Sequence, residues 1–195
     1  MACFSAGACY FHNRHDRRTG WFNEINKSSE LRTNFTGITN RFNPIISMTK
    51  EALQQVINKM IDSLSVQIPE YKSSPADWNN SEGNVALCVL DSEGNVYGKI
   101  WGADKLRGRK VYDVAYRKAS QVWITGYKTG EYERLVFTDQ LNYRDFGIPL
   151  PELMGWEGGL PVQLDADTRI SCGFSGFKGV TDVALISKAA AEAMK

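Results

Sequence analysis

The residues of this chain best placed to do chemistry are few, and most lie toward its carboxyl end. Gly158-Gly159-Leu160-Pro161-Val162 is followed by Arg169-Ile-Ser-Cys-Gly-Phe-Ser-Gly176 and then by a helical stretch carrying Asp182. Paired glycines, short apolar strands and a turn through Ser175 and Gly176 into a helix leave backbone N–H groups exposed. Such a junction receives an anion or a flat polar ligand. Upstream, Lys105-Leu-Arg-Gly-Arg-Lys110 opens a second helical stretch. Arg107 and Arg109 there oppose the helix dipole, so they either hold a carboxylate or phosphate with the helix N–H groups or form a solvated basic turn. Tyr112 and Tyr116, four apart on an apolar stripe, read as core packing or as phenols turned to a ligand. Lys118 is either a surface residue or a cleft residue, and burial would depress its pKa and fit it for proton transfer. Asp182 reads as a cap or ion-pair partner in the last helix, or as an acid–base group. A Ser-His-Asp hydrolase built on Ser175 is excluded, because no histidine lies between residues 48 and 195.

These groups must be carried by a modest framework. The chain has 195 residues, 43% of them apolar and 23% charged, a balance that suits one globular domain with an appended segment. Its formal net charge of +1 argues against nucleic acid as a partner. No apolar run approaches the roughly 20 residues of a membrane span. Cys88 and Cys172 sit in apolar runs, where a free thiol behaves as a small hydrophobe, so a cytoplasmic, reducing setting is expected.

Residues 1–47 lack sustained periodicity and hold six Lys/Arg against three Asp/Glu. They are expected to be an irregular N-terminal extension, either a disordered tail or an arm packing on a neighbouring subunit. Asp16, Glu24 and the missing amphipathic run weigh against a mitochondrial presequence. The spacing of Cys3, Cys9, His12 and His15 is not that of a zinc finger, and no metal site is expected.

From Met48 the periodicity sharpens. Leu53, Val56, Ile57, Met60, Ile61 and Leu64 form one helical stripe, with Ser47 or Thr49 as N-cap. Residues 69–82 read as a loop. Val85–Leu90, the turn 91–95 and Val96–Trp101 read as a β-hairpin. A long helix follows through Trp123, then a short helix capped by Thr129 over 131–137, a long irregular loop over 139–157, strands at 160–164 and 168–174, and a last helix over 179–193. This order of helices and hairpins predicts an α/β domain of the α+β type, an antiparallel sheet with helices packed on it.

With these elements placed, residues 48–195 resemble the GlcG/HbpS-like family, also called haem-degrading or PduO C-terminal-like. The resemblance rests on the opening helix, Val89-Leu90-Asp91-Ser-Glu-Gly94, Lys118-Ala119, Thr129, Gly158-Gly159-Leu160-Pro161-Val162, and Gly173-Phe-Ser-Gly176 with Asp182 six residues beyond. It implies a profilin-like antiparallel sheet of about five strands flanked by helices, assembled as a homo-oligomer, with haem as the ligand most often named. The histidines, His12 and His15, lie outside the matched region, so an axial ligand there would have to be Tyr, Met, Cys or a weaker oxygen donor.

The expected function is small-molecule binding, of haem or another tetrapyrrole or of an organic acid. The expected pocket lies between the helix over 107–123 and the glycine-rich strands over 158–176. Arg107, Arg109, Tyr112, Thr129, Gly158, Gly159, Ser175 and Gly176 are its expected ligand-binding residues. The alternative is a metal-free isomerase, lyase or cyclase, in which Lys118, Tyr116 and Asp182 move protons and Arg109 clamps an anion.

Overall fold

The computed structural model of the protein describes residues 48–195. The readings of residues 1–47 as tail, subunit arm, presequence or zinc ligand set lie outside the described residues. The described chain forms helices α1 (Lys50–Gln67), α2 (Pro75–Ser81), α3 (Lys105–Thr125), α4 (Thr129–Phe137) and α5 (Gly179–Ala193), and strands β1 (Val85–Leu90), β2 (Val96–Trp101), β3 (Gly159–Gln163) and β4 (Arg169–Ser175). The strands make one antiparallel sheet in the order β2-β1-β4-β3. The sheet has four strands among the described residues rather than about five. Segment 139–157, where a further strand would have to come from, carries Pro149 and Pro151 and makes two short 3-10 turns, at Tyr143–Phe146 and Leu150–Glu152.

Alternation along β1 and β4 splits the domain into two unlike layers. Val85, Leu87 and Val89, with Ile170, Cys172 and Phe174, pack against Leu53, Ile57, Met60 and Leu64 of α1 and Leu185, Ile186 and Ala189 of α5. The opposite face is built from small groups. Ala86 and Cys88 meet Ala115 and Ala119 of α3, and at Gly173 a Cβ would collide with the Ala115 carbonyl oxygen. Large residues on one face thus bury two helices, and small residues on the other let α3 lie almost on the sheet backbone.

Helix ends follow local chemistry. Thr49 Oγ1 accepts from Ala52 N at 3.2 Å and starts α1. Residues 69–82, expected as loop, form a 3-10 turn over Ile68–Ser73 and then α2. Seven residues are too few to show a periodic stripe, but Pro75 in the first turn is a genuine helix-start signal. Asp77 of α2 accepts from Lys178 N at 3.1 Å and from Ser74 Oγ at 2.9 Å, tying α2 to the start of α5. Burial opposes its charge, yet these hydrogen bonds and one from Thr181 outweigh burial and hold its carboxyl below the usual range.

Candidate functional site

Small residues bring α3 down onto β4, and this places Lys118 inside the protein. Its side chain is 3% exposed and that of Asp182, on the first turn of α5, is 1% exposed. Lys118 Nζ donates to Asp182 Oδ2 at 3.1 Å and to the Phe174 carbonyl at 2.9 Å. Asp182 Oδ1 accepts from Phe177 N at 3.2 Å. Burial pushes the lysine's pKa down, with the Asp182 charge pulling the other way. Burial likewise pushes the Asp182 carboxyl up, to about 7, against the pull of Lys118 and of the Phe177 N–H. Both groups are therefore displaced toward their neutral forms by burial.

The paired glycines lie directly over this ion pair. Gly158 has φ +117°, and a Cβ there would stand 2.6 Å from Lys118 Nζ and 2.7 Å from Phe174 O. At Gly159 a Cβ would collide with Thr129 Cγ2. Thr129 is the first residue of α4 rather than its cap. Its hydroxyl instead donates to Trp156 O at 2.7 Å and accepts from Gly159 N at 3.2 Å, holding the approach to β3. Gln121 grips the same loop through paired hydrogen bonds, Nε2 to Met154 O at 2.9 Å and Met154 N to Oε1 at 2.7 Å.

On the outer side of the glycines lies a cavity of about 340 Å³, lined by residues 128–131, residues 157–159, Val180 and Val183. The starts of α4 and α5 both border it, and no side chain caps either helix. Glu157 reaches between them. A Cβ at Gly179 would lie 3.3 Å from its Oε2, and one at Gly130 would lie 3.2 Å from its Cγ. Its carboxylate thus supplies the negative charge that two helix N-termini favour. With Lys128 against Glu131 and Glu157, and roughly half a positive charge from each helix start, the lining is close to neutral.

The remaining expected site residues are elsewhere. The N–H groups at the start of α3 are taken by Asp104, which accepts from Leu106 N at 2.9 Å and Arg107 N at 3.1 Å. Arg107 pairs with Glu82 at 3.2 Å and donates to Asn80 O at 2.6 Å, so it pins α2 to α3. Arg109 borders a separate hollow of about 590 Å³ beside Lys110 and Leu106. Tyr112 is half-buried over Gly98, its hydroxyl 3.9 Å from Cys88 Sγ, and burial pushes it up to about 12. Tyr116 is on the wall of a third cavity, of about 460 Å³, with Arg117, Ile148 and Glu152. Ser175 and Gly176 end β4 against the start of β1, where a Cβ at Gly176 would stand 2.7 Å from Val85 Cγ1. The expected hollow between the basic start of α3 and the glycine turn is corrected accordingly: Arg107 and Lys118 are about 16 Å apart along the helix axis, and the glycines meet the middle of α3. Lys118, Asp182, Thr129, Gly158 and Gly159 come together, whereas Arg107, Arg109, Tyr112, Tyr116, Ser175 and Gly176 do not join them.

No family profile and no curated protein matches the sequence. Solved structures do match in shape. PduOC, crystallised as a complex with haem, gives a TM-score of 0.52 at 15% identity, over 75% of this chain and 95% of that one. The Klebsiella pneumoniae protein ORFY, a DUF336 protein, gives 0.53 at 19% identity over 80% and 97%. HbpS gives 0.50 at 18% identity over 79% and 97%. The domain has the HbpS-like fold. At such identities the likeness is one of architecture, and the site of this HbpS-like domain is defined by its own residues.

Read from the sequence, Gln121 has no role, and Glu157 stands only among the residues of the 139–157 loop that could cover a pocket. Gln121 gives no signal, since a polar residue beside an apolar stripe is ordinary. Glu157 left a trace in its neighbours: Gly130 and Gly179, each in the first turn of a helix, are the positions where a side chain would strike it. Among the described residues no cluster of three or more His, Cys, Asp or Glu could hold a metal ion. No helix there is long and apolar enough to cross a membrane.

Proposed function

We propose that residues 48–195 form a cytoplasmic, self-associating small-molecule-binding domain of the GlcG/HbpS-like type, whose ligand occupies the cavity beside Gly158 and Gly159. The observation that carries this reading is the Lys118–Asp182 pair buried against Gly158, on a wall of the cavity where a side chain cannot stand. The near-neutral lining favours an organic acid with a single carboxylate over a polyanion, and Val180 and Val183 supply apolar contact. Titrating the protein with propionate and following backbone amide signals tests it. Saturable shifts centred on Gly158, Gly159 and Val180 are expected. Shifts confined to the Tyr116 or Arg109 cavities, or none, refute it.

A tetrapyrrole is the second reading, supported by the haem in the PduOC complex. The Gly158 cavity does not fit haem, since its lining offers no imidazole, thiol, thioether or phenol. Cys88 and Cys172 are fully buried in the sheet, so neither presents a thiol to a ligand. Tyr116 does present a half-exposed phenol beside Arg117 on the 460 Å³ cavity. There the phenol would hold the iron and the guanidinium a propionate. Haem, when bound, would supply an iron centre. A Soret band on adding hemin that disappears in Tyr116→Phe supports this reading, and an unchanged band refutes it.

The catalytic alternative, a metal-free isomerase, lyase or cyclase, draws support from the same ion pair. It keeps Lys118 and Asp182 as proton carriers and loses Arg109 and Tyr116, which stand on other cavities.

A further inference from the structure

Lys118 Nζ is held by hydrogen bonds on two sides and covered on a third by backbone. An ammonium has three N–H bonds, and the hydrogen bonds of this one go to Phe174 O and Asp182 Oδ2. Its remaining side faces Gly158, which contributes only backbone between Nζ and the 340 Å³ cavity. As a free amine, Lys118 would donate through its two N–H bonds and turn its lone pair toward Gly158. A buried ion pair is also an inefficient way to fasten a helix to a sheet, because well-packed apolar residues of similar volume usually serve as well or better. The pair therefore calls for an explanation beyond stability.

We propose that Lys118 is a carbonyl-trapping nucleophile: a small aldehyde or ketone that reaches Gly158 condenses with its amine to form an imine, and Asp182 carries the proton. This rests on the reading of the Gly158 cavity as the ligand site and names the reactive group of the ligand. The amine nitrogen attacks the carbonyl carbon, a C–N bond forms, and the carbonyl π pair moves onto oxygen. The surplus proton on nitrogen passes to Asp182 Oδ2, 3.1 Å away. Asp182 returns it to the alkoxide oxygen, giving the carbinolamine; as C=N forms, the nitrogen's second proton passes through the same carboxylate to that hydroxyl, which leaves as water. The balance is amine plus carbonyl giving imine plus water, with no oxidant or reductant. Reaching Nζ takes a shift of the Gly158 peptide, which the absence of a side chain and the broad conformational range of glycine allow. Burial helps by lowering the proton affinity of Lys118, so more of it is free amine at neutral pH.

The test treats the full chain with propionaldehyde and sodium cyanoborohydride at pH 7 and maps the N-propylated lysines by mass spectrometry. Lys128, exposed on the same cavity, is the internal reference. Lys118 is expected to be modified faster than Lys128 in the folded protein. Modification of Lys118 only after denaturation, or at a rate below that of Lys128, overturns the proposal. Gly158→Ala, read in the same way, is expected to suppress Lys118 labelling while leaving Lys128 unchanged. Propionate, the isosteric acid without a reactive carbonyl, separates the two claims. Amide shifts at Gly158 without Lys118 labelling leave the binding site standing and remove the imine. Lys118 labelling without propionate shifts keeps the carbonyl chemistry and removes the carboxylate ligand.

Discussion

Lys118 and Asp182 stabilise each other only in the sense that each would be worse off alone. Replacing Lys118 by Met fills the same space but leaves a carboxylate buried without a cation. Breaking a buried pair in this way costs about 3–5 kcal/mol. The penalty has a definite pH dependence. The folded-state pKa of Asp182 is raised to about 7 even with Lys118 present, and loss of the cation raises it further. A raised carboxyl contributes stability that is fully present below its unfolded value of about 4 and is lost as pH rises through the folded value. Lys118→Met is therefore expected to cost little below about pH 7, where Asp182 is protonated with or without the cation, and progressively more as pH rises above 7, measured by urea unfolding at each pH. Pairing it with Asp182→Leu is expected to recover most of the loss. A pH-independent penalty, or a double variant as weak as the single one, contradicts this account of the pair.

Among the elements, those governed by periodicity were legible in the sequence. The stripe Leu53, Ile57, Met60 and Leu64, the hairpin around Asp91 and the helix bearing Asp182 all stand where the pattern put them. The hairpin turn is explicit chemistry, with Asp91 Oδ1 accepting from Glu93 N at 3.0 Å and Asn95 N at 2.9 Å. Elements governed by tertiary contact were not legible. The seven residues of α2 are fixed by Asp77 reaching α5 and by Arg107 reaching back from α3. Thr129, a plausible cap by type, spends its hydroxyl on a loop 27 residues away. Half of the candidate site was readable for the same reason: Lys118, Asp182 and the paired glycines announce themselves by type, whereas Glu157 acquires a role only when two helix starts converge. The close seating of α3 gives a prediction at this scale. Gly173→Ala puts a methyl group into the Ala115 carbonyl, and the flat face of the sheet has no slack to absorb it. A loss of about 3 kcal/mol is expected, the upper part of the range for overpacked cores. Denaturation of Gly173→Ala that matches the parent chain would mean that α3 is seated less tightly than its small-residue contacts require.

At the scale of the molecule, one group of exposed apolar residues lies along α3. Leu106 is 74% exposed, and Tyr116, Trp123 and Ile124 are each about half exposed on the same helix. Val96 and Ile100 on β2, an edge of the sheet, extend this surface. Apolar area of this kind is usually covered by a partner, and closed symmetric contacts between identical chains are the commonest arrangement. The proposed self-association therefore places the outward side of α3 at the subunit contact, with the Gly158 cavity left accessible beside the starts of α4 and α5. Leu106→Glu introduces a charge at the most exposed apolar position without touching the buried faces of the helix. It is expected to lower the mass seen by light scattering toward that of one chain, while the thermal transition of the diluted protein stays close to the parent's and propionate still shifts the Gly158 amide. Repeating the measurement on residues 48–195 alone separates this surface from any contribution of the N-terminal extension. A mass unchanged by Leu106→Glu in both lengths of chain would mean that copies of the protein do not meet along α3.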